Sequence, residues 1–154
     1  MIKIKHRITE AVLYVRYDGN LEGVNLSKLD LSWADLKGVN LSGADLTRTN
    51  LHKANLEGAN LEGADLTSAN LYRACLINVN LTLANLTRVN LTRANLINAN
   101  LTRANLKDSD LFNANLHIAN LTRANLEGAD LTRANLTDAD LHEASLDRAS
   151  LDKA

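Results

Sequence analysis

The sequence predicts an all-β solenoid, a chain that turns about once every five residues and always in the same sense. Three observations carry this. From Leu21 to Leu151 every fifth residue is leucine, 27 in succession. Two residues before each leucine stands Ala in 19 repeats and Val in 4, the others being Gly19, Leu29, Thr49 and Ser109. One residue before it stands Asn in 17 and Asp in 7, the others being Cys75, Ser145 and Ser150. The unit is therefore A-[N/D]-L-x-x, with the two x positions mostly Thr, Ser, Glu, Gly, Arg and Lys.

Residues 1–18 lie outside this pattern and are expected to form an N-terminal cap. Ile2-Lys3-Ile4-Lys5 alternates as a strand does. Val12 to Tyr17 is rich in β-branched and aromatic residues. His6 to Ala11 between them reads as a turn region. A β-hairpin over the N-terminal mouth follows, with a helix at Thr9–Val15 as the alternative. Asp18-Gly19 then feeds the first coil. Repeat arrays need such ends, which shield the core and its unpaired strand edge.

Residues 19–154 are the solenoid itself. On an α-helix, five residues advance roughly 500°, so successive leucines would step about 140° around the axis and form no stripe. On a flat strand, an odd period sends alternate leucines to opposite faces. All 27 leucines share one side only if the chain bends once per repeat. The Ala two residues earlier then points inward as well, because i and i−2 share a side in extended chain. Small Ala beside large Leu suits a narrow interior. With no proline and 3% aromatics, the core must be filled by aliphatics in a repeated way. The Asn or Asp before each leucine reads as a turn residue that bonds local backbone and stacks along a ladder.

On these motifs the chain resembles the pentapeptide-repeat family over residues 19–154. The resemblance implies a right-handed quadrilateral β-helix with four repeats per coil, hence nearly seven coils for 27 repeats. It also implies that residues twenty apart stack in columns. Some members of that family imitate DNA, bind type II topoisomerases such as gyrase, and confer quinolone resistance. Those members are acidic rods with a C-terminal dimerisation cap, some with projecting loops. Here the leucine register is unbroken, and no cap segment follows it. The repeats run to Ala154 and become more polar at Ser145, Asp147, Ser150 and Asp152. An uncovered last coil would make a homodimer through that coil an alternative, since an open edge is a pairing template.

Composition narrows function further. A net charge of −1 gives neither a basic field to hold nucleic acid nor an acidic field to imitate it. Cys75 is the single cysteine, which rules out an internal disulfide and fits a reducing, cytoplasmic setting. No run approaches the roughly 20 apolar residues of a membrane span. The four histidines, His6, His52, His117 and His142, lack metal-ligand spacing. Cys75 has no histidine stacked near it, no Ser or Thr has an evident base, and Gly58 and Gly63 are x positions, with no phosphate loop. No cofactor, metal or catalytic residue is expected.

What remains is surface. One column reads Trp33, Lys53, Arg73, Arg93, Asn113, Arg133 and Lys153. Beside it run Ser32, His52, Tyr72, Thr92, Phe112, Thr132 and Asp152. Trp33, Lys53, Tyr72, Arg73, Arg93, Phe112 and Arg133 therefore form a candidate face for an acidic protein partner, with nucleic acid less favoured. On another face Ile77, Ile97 and Ile118 would make an exposed apolar ridge. The sequence favours a non-enzymatic protein-binding scaffold. A topoisomerase binder and a self-assembling structural rod are the alternatives.

Overall fold

The computed structural model describes residues 1–16 and 19–154. All described secondary structure is sheet and turn. After the N-terminal segment, parallel bridges pair each Asn/Asp position with the one twenty residues on, from Asn25–Asp45 through Asp130–Ser150. Four repeats thus make one coil, and the coil is a right-handed quadrilateral β-helix. We number its faces one to four by their first leucines, Leu21, Leu26, Leu31 and Leu36.

Each repeat is wired identically. Leu31 shows the pattern: its N–H donates to the Asn50 carbonyl at 2.8 Å, while Asn50 N–H donates back to the Leu29 carbonyl at 2.9 Å. Within the repeat, Ala34 N–H closes a four-residue turn on the Leu31 carbonyl at 3.1 Å. That turn needs a positive φ at its third residue, the type II condition that normally selects glycine. Yet only six repeats have glycine there; the other 21 carry side chains, including Arg88 at φ 56° and the β-branched Ile118 at φ 53°. Left-handed backbone costs such residues on the order of 1–2 kcal/mol, so the coil-to-coil bonds impose the geometry.

The leucines from Leu21 to Leu131 and their Ala/Val partners are enclosed in one continuous core, with Val39 alone among them only partly buried. Two exceptions at the small-residue position are polar and satisfied. Thr49 Oγ1 donates to the Leu26 carbonyl at 2.8 Å, and Ser109 Oγ to the Leu106 carbonyl at 2.6 Å. The Asn/Asp side chains perform both expected tasks. Asn70 Oδ1 accepts the Tyr72 N–H at 3.1 Å, and its Nδ2 donates to Asn50 Oδ1 one coil away at 3.1 Å.

The N-terminal hairpin forms as expected. Strand β1 (Ile2–His6) pairs antiparallel with β2 (Val12–Arg16), with a register shift between Ile4 and Lys5. The last residue expected in the second strand, Tyr17, lies outside the described residues. The helical alternative at Thr9–Val15 is not adopted. Strand β1 also pairs antiparallel with β3 (Ala34–Asp35) of the first coil, through Lys5–Asp35 and His6–Ala34. Ile4 is thereby driven into the solenoid core, and Ile2, Leu13 and Tyr14 pack partly against it.

Candidate functional site

The four sides differ in what they carry outward. Along the third face the outer residues of each turn stack at coil spacing, as backbone bonds from Trp33 N–H to the His52 carbonyl at 2.8 Å and Lys53 N–H to the Tyr72 carbonyl at 3.0 Å fix it. Four rings then stand in line. His6 lies 6.1 Å from Trp33, Trp33 lies 6.4 Å edge-on from His52, and His52 stacks on Tyr72 at 5.4 Å with the planes 10° apart. These separations fall within the range where aromatic pairs attract beyond simple burial.

Cations lie over this row. Arg7 and Lys53 sit 4.8 and 4.3 Å from the centre of the Trp33 ring, and the Arg73 guanidinium 5.2 Å from that of Tyr72. Three coils further on, Arg133 lies 5.9 Å from the Phe112 ring. All are within cation–π range. Elsewhere on the rod, Lys37, Lys107 and Arg123 are each paired with a glutamate one coil on: Glu57, Glu127 and Glu143. Among the described residues, no carboxylate lies within ion-pairing distance of Lys53, Arg73, Arg93 or Arg133. Asp30, at the edge of this face, keeps its charge firmly. The Ser32 amide, then its hydroxyl, the Asn50 amide and His52 hold its carboxyl below the usual carboxylate range.

The seven residues picked from sequence therefore share one face, but not one cluster. Trp33, Lys53, Tyr72 and Arg73 meet, Phe112 and Arg133 meet, and Arg93 stands between the two groups. Two members of the row come from the hairpin and were not on the sequence-derived face. His6 and Arg7 reach it because Arg7 N–H donates to the Trp33 carbonyl at 2.9 Å. His6 Nδ1 also receives the Ile8 and Thr9 amides at 3.3 and 3.2 Å, which orients the ring. His52 was visible in the twenty-residue column, and its ring completes the stack.

The isoleucine ridge is corrected. Only Ile118 is well exposed, at 43%; Ile77 and Ile97 are half-buried. The first x residue of a turn is shielded by its equivalents one coil above and below, while the second projects outward. Ile77 and Ile97 occupy first positions and Ile118 a second. No group of three or more metal-ligating side chains converges among the described residues. No helix among them is long and apolar enough to cross a membrane.

The repeat architecture is matched at the level of family. A family model for pentapeptide repeats matches in eight copies over residues 18–43, 44–82, 80–117 and 119–154. Among solved structures, the chain is similar to Rfr23 from the cyanobacterium Cyanothece 51142, at 33% identity, covering 86% of this chain and 88% of that one, with a TM-score of 0.33. It is similar to HetL from Nostoc sp. PCC 7120, a protein involved in heterocyst differentiation regulation, at 29% identity, with 86% and 90% coverage and a TM-score of 0.47. QnrB1, a plasmid-mediated fluoroquinolone resistance protein, matches at 22% identity, with 86% and 89% coverage and a TM-score of 0.31. No curated protein matches the chain.

Proposed function

The chain belongs to the pentapeptide-repeat family, and on that premise we propose that it is a non-enzymatic scaffold whose third face binds an acidic segment of a protein partner in the cytoplasm. One observation carries the reading: Lys53, Arg73 and Arg133 rest on aromatic rings and, like Arg93 between them, have no carboxylate partner of their own among the described residues. A cation held over a ring is fixed in place, yet its remaining N–H donors stay free for an incoming carboxylate. Rigid aromatic and arginine side chains are also the types that anchor protein interfaces at low ordering cost. The rod supplies a flat array of donors at about 4.8 Å spacing, fixed by the stacking of its coils. The positive sign of the face weighs against a nucleic-acid mimic.

The test is a pull-down from host lysate with the native protein beside an Arg73→Glu/Arg93→Glu variant, read by mass spectrometry. An acidic protein retained by the native chain and lost by the variant is expected. Equal retention on both would overturn the third-face reading. A topoisomerase lost in the same way would favour the alternative reading of the family resemblance.

A further inference from the structure

The first face, across the core from the aromatic strip, is divided into two unlike halves. Its outer column runs Gly23, Gly43, Gly63, then Leu83, then Arg103, Arg123 and Glu143. The three glycines leave a trough of about 510 Å³, bordered by Glu22, Ser42 and Glu62 and closed at one end by Leu83. A Cβ built on Gly23, Gly43 or Gly63 would meet nothing within 4 Å, so this space is open. Beyond Leu83 the same column projects Arg103 and then the Arg123–Glu143 ion pair. Leu83 itself is a leucine at φ 60° and 53% exposed, an apolar side chain held outward where the turn favours glycine.

We propose that two copies of this chain associate side by side and antiparallel through this face, about a two-fold axis passing at Leu83. An axis lying in the contact plane and perpendicular to the rods reverses coil order but keeps each column opposite its own equivalent. Leu83 then meets Leu83. Arg103 of one copy enters the trough at Gly63 of the other, beside Glu62, and Arg123 overlies Gly43 beside Ser42. The contact is isologous and closes on itself. Empty volume faces long side chains, and Glu62 faces the unpaired Arg103; at the end of the contact Glu143, its charge already held by Arg123, lies over Gly23. Arg103 has no carboxylate within ion-pairing distance among the described residues, so it is free to take Glu62 of the second copy. A parallel pairing would instead place glycine on glycine and arginine on arginine.

The seven coils of the column span about 29 Å at 4.8 Å per step, and the strip is one face wide. That falls at the small end of specific interfaces, below about 1,200 Å² in total, where association is weak. The third faces would remain uncovered and point away from each other, so this inference stands independently of the proposed partner.

Sedimentation equilibrium from roughly 10 μM to 1 mM at low salt tests it. The native chain is expected to dimerise reversibly. Arg103→Glu and Glu62→Arg should each weaken the dimer at least about tenfold, and the two together should restore it, because the pair is merely reversed. Thermal melts of each variant, followed by circular dichroism, confirm that the coil persists. In a Cys75→Ser background, Leu83→Cys should oxidise to a covalent dimer while Arg103→Cys should not. A native chain monomeric throughout, single variants without effect, a double variant that stays weak, or equal cross-linking at both positions would each overturn the proposal.

Discussion

Cys75 occupies a position that Asn or Asp fills in 24 of 27 repeats, and replacing it should stabilise the rod. Its backbone is indistinguishable from that of its neighbours. Cys75 N–H donates to the Ala54 carbonyl at 3.0 Å and its carbonyl accepts from Leu56 at 2.8 Å, the values found at Asn70. The thiol cannot reproduce what an amide does there. Cys75→Asn would supply an acceptor for the Ile77 N–H, a donor to Asn55 Oδ1 one coil before, and an acceptor for Asn95 Nδ2 one coil after. Each hydrogen bond contributes about 0.5–1.5 kcal/mol net, and at a half-buried corner the lower value applies. The three together give about 1.5 kcal/mol, which for a chain of this length raises Tm by about 3–6 °C. Urea denaturation and calorimetry would measure it. The reverse change, Asn70→Cys, removes bonds to Tyr72 and Asn50 and should cost about 1 kcal/mol. An unchanged or lowered midpoint for Cys75→Asn would refute the argument that corner amides contribute net stability.

Core truncation should depend on position along the rod. Leu71→Ala lies between Leu51 and Leu91, where neither coil can collapse inward, and should cost about 3–5 kcal/mol; Leu141→Ala, half-buried, should cost about 1 kcal/mol, both by chemical denaturation. Acid should erode stability through two carboxylates. Asp30 and Asp45 are held below the usual carboxylate range, chiefly by the backbone amides of Ser32 and Thr47. Because the folded value is the lower one, their contribution is complete above about pH 4 and disappears as pH falls through the folded values. A Tm profile between roughly pH 6 and 2 should therefore fall at its acid end, and Asp30→Asn/Asp45→Asn should flatten that fall.

Much of this was legible before any coordinates. A leucine every fifth residue admits few geometries, and the small residue two places earlier told which neighbours turn inward. Asn and Asp announced both the turn and the ladder, because their side chains reach backbone locally and amides repeat along a stack. The hairpin was legible from the alternation at Ile2–Lys5. The turn's third residue was opaque: Arg, Lys and even Ile occupy a position whose backbone asks for glycine, and only the bonding between coils shows why they accept it. The aromatic row was half visible. Tyr72 and His52 follow from twenty-residue arithmetic, whereas His6 and Arg7 join through an antiparallel pairing of β1 with β3 that no periodicity encodes. The exposure of Ile77 and Ile97 was misjudged because the two x positions look alike in sequence and differ in shielding.

The division of one coil into four equal repeats makes the interior and the exterior answer to different arithmetic. Removing a single repeat, Ala84 to Arg88 for instance, leaves every leucine pointing inward and every coil-to-coil bond replaceable. Yet each residue beyond the cut is carried a quarter-turn around the rod. Arg93 and Arg133 would leave the third face for the second, and Trp33 and Tyr72 would be separated from them. Removing Ala84 to Arg103, twenty residues, shortens the rod and leaves Arg133 on its original side. Length changes of five are thus invisible to the core and disruptive to any partner, while changes of twenty are mild to both. A lineage that gains and loses repeats can reassign its surfaces wholesale without ever refolding its interior.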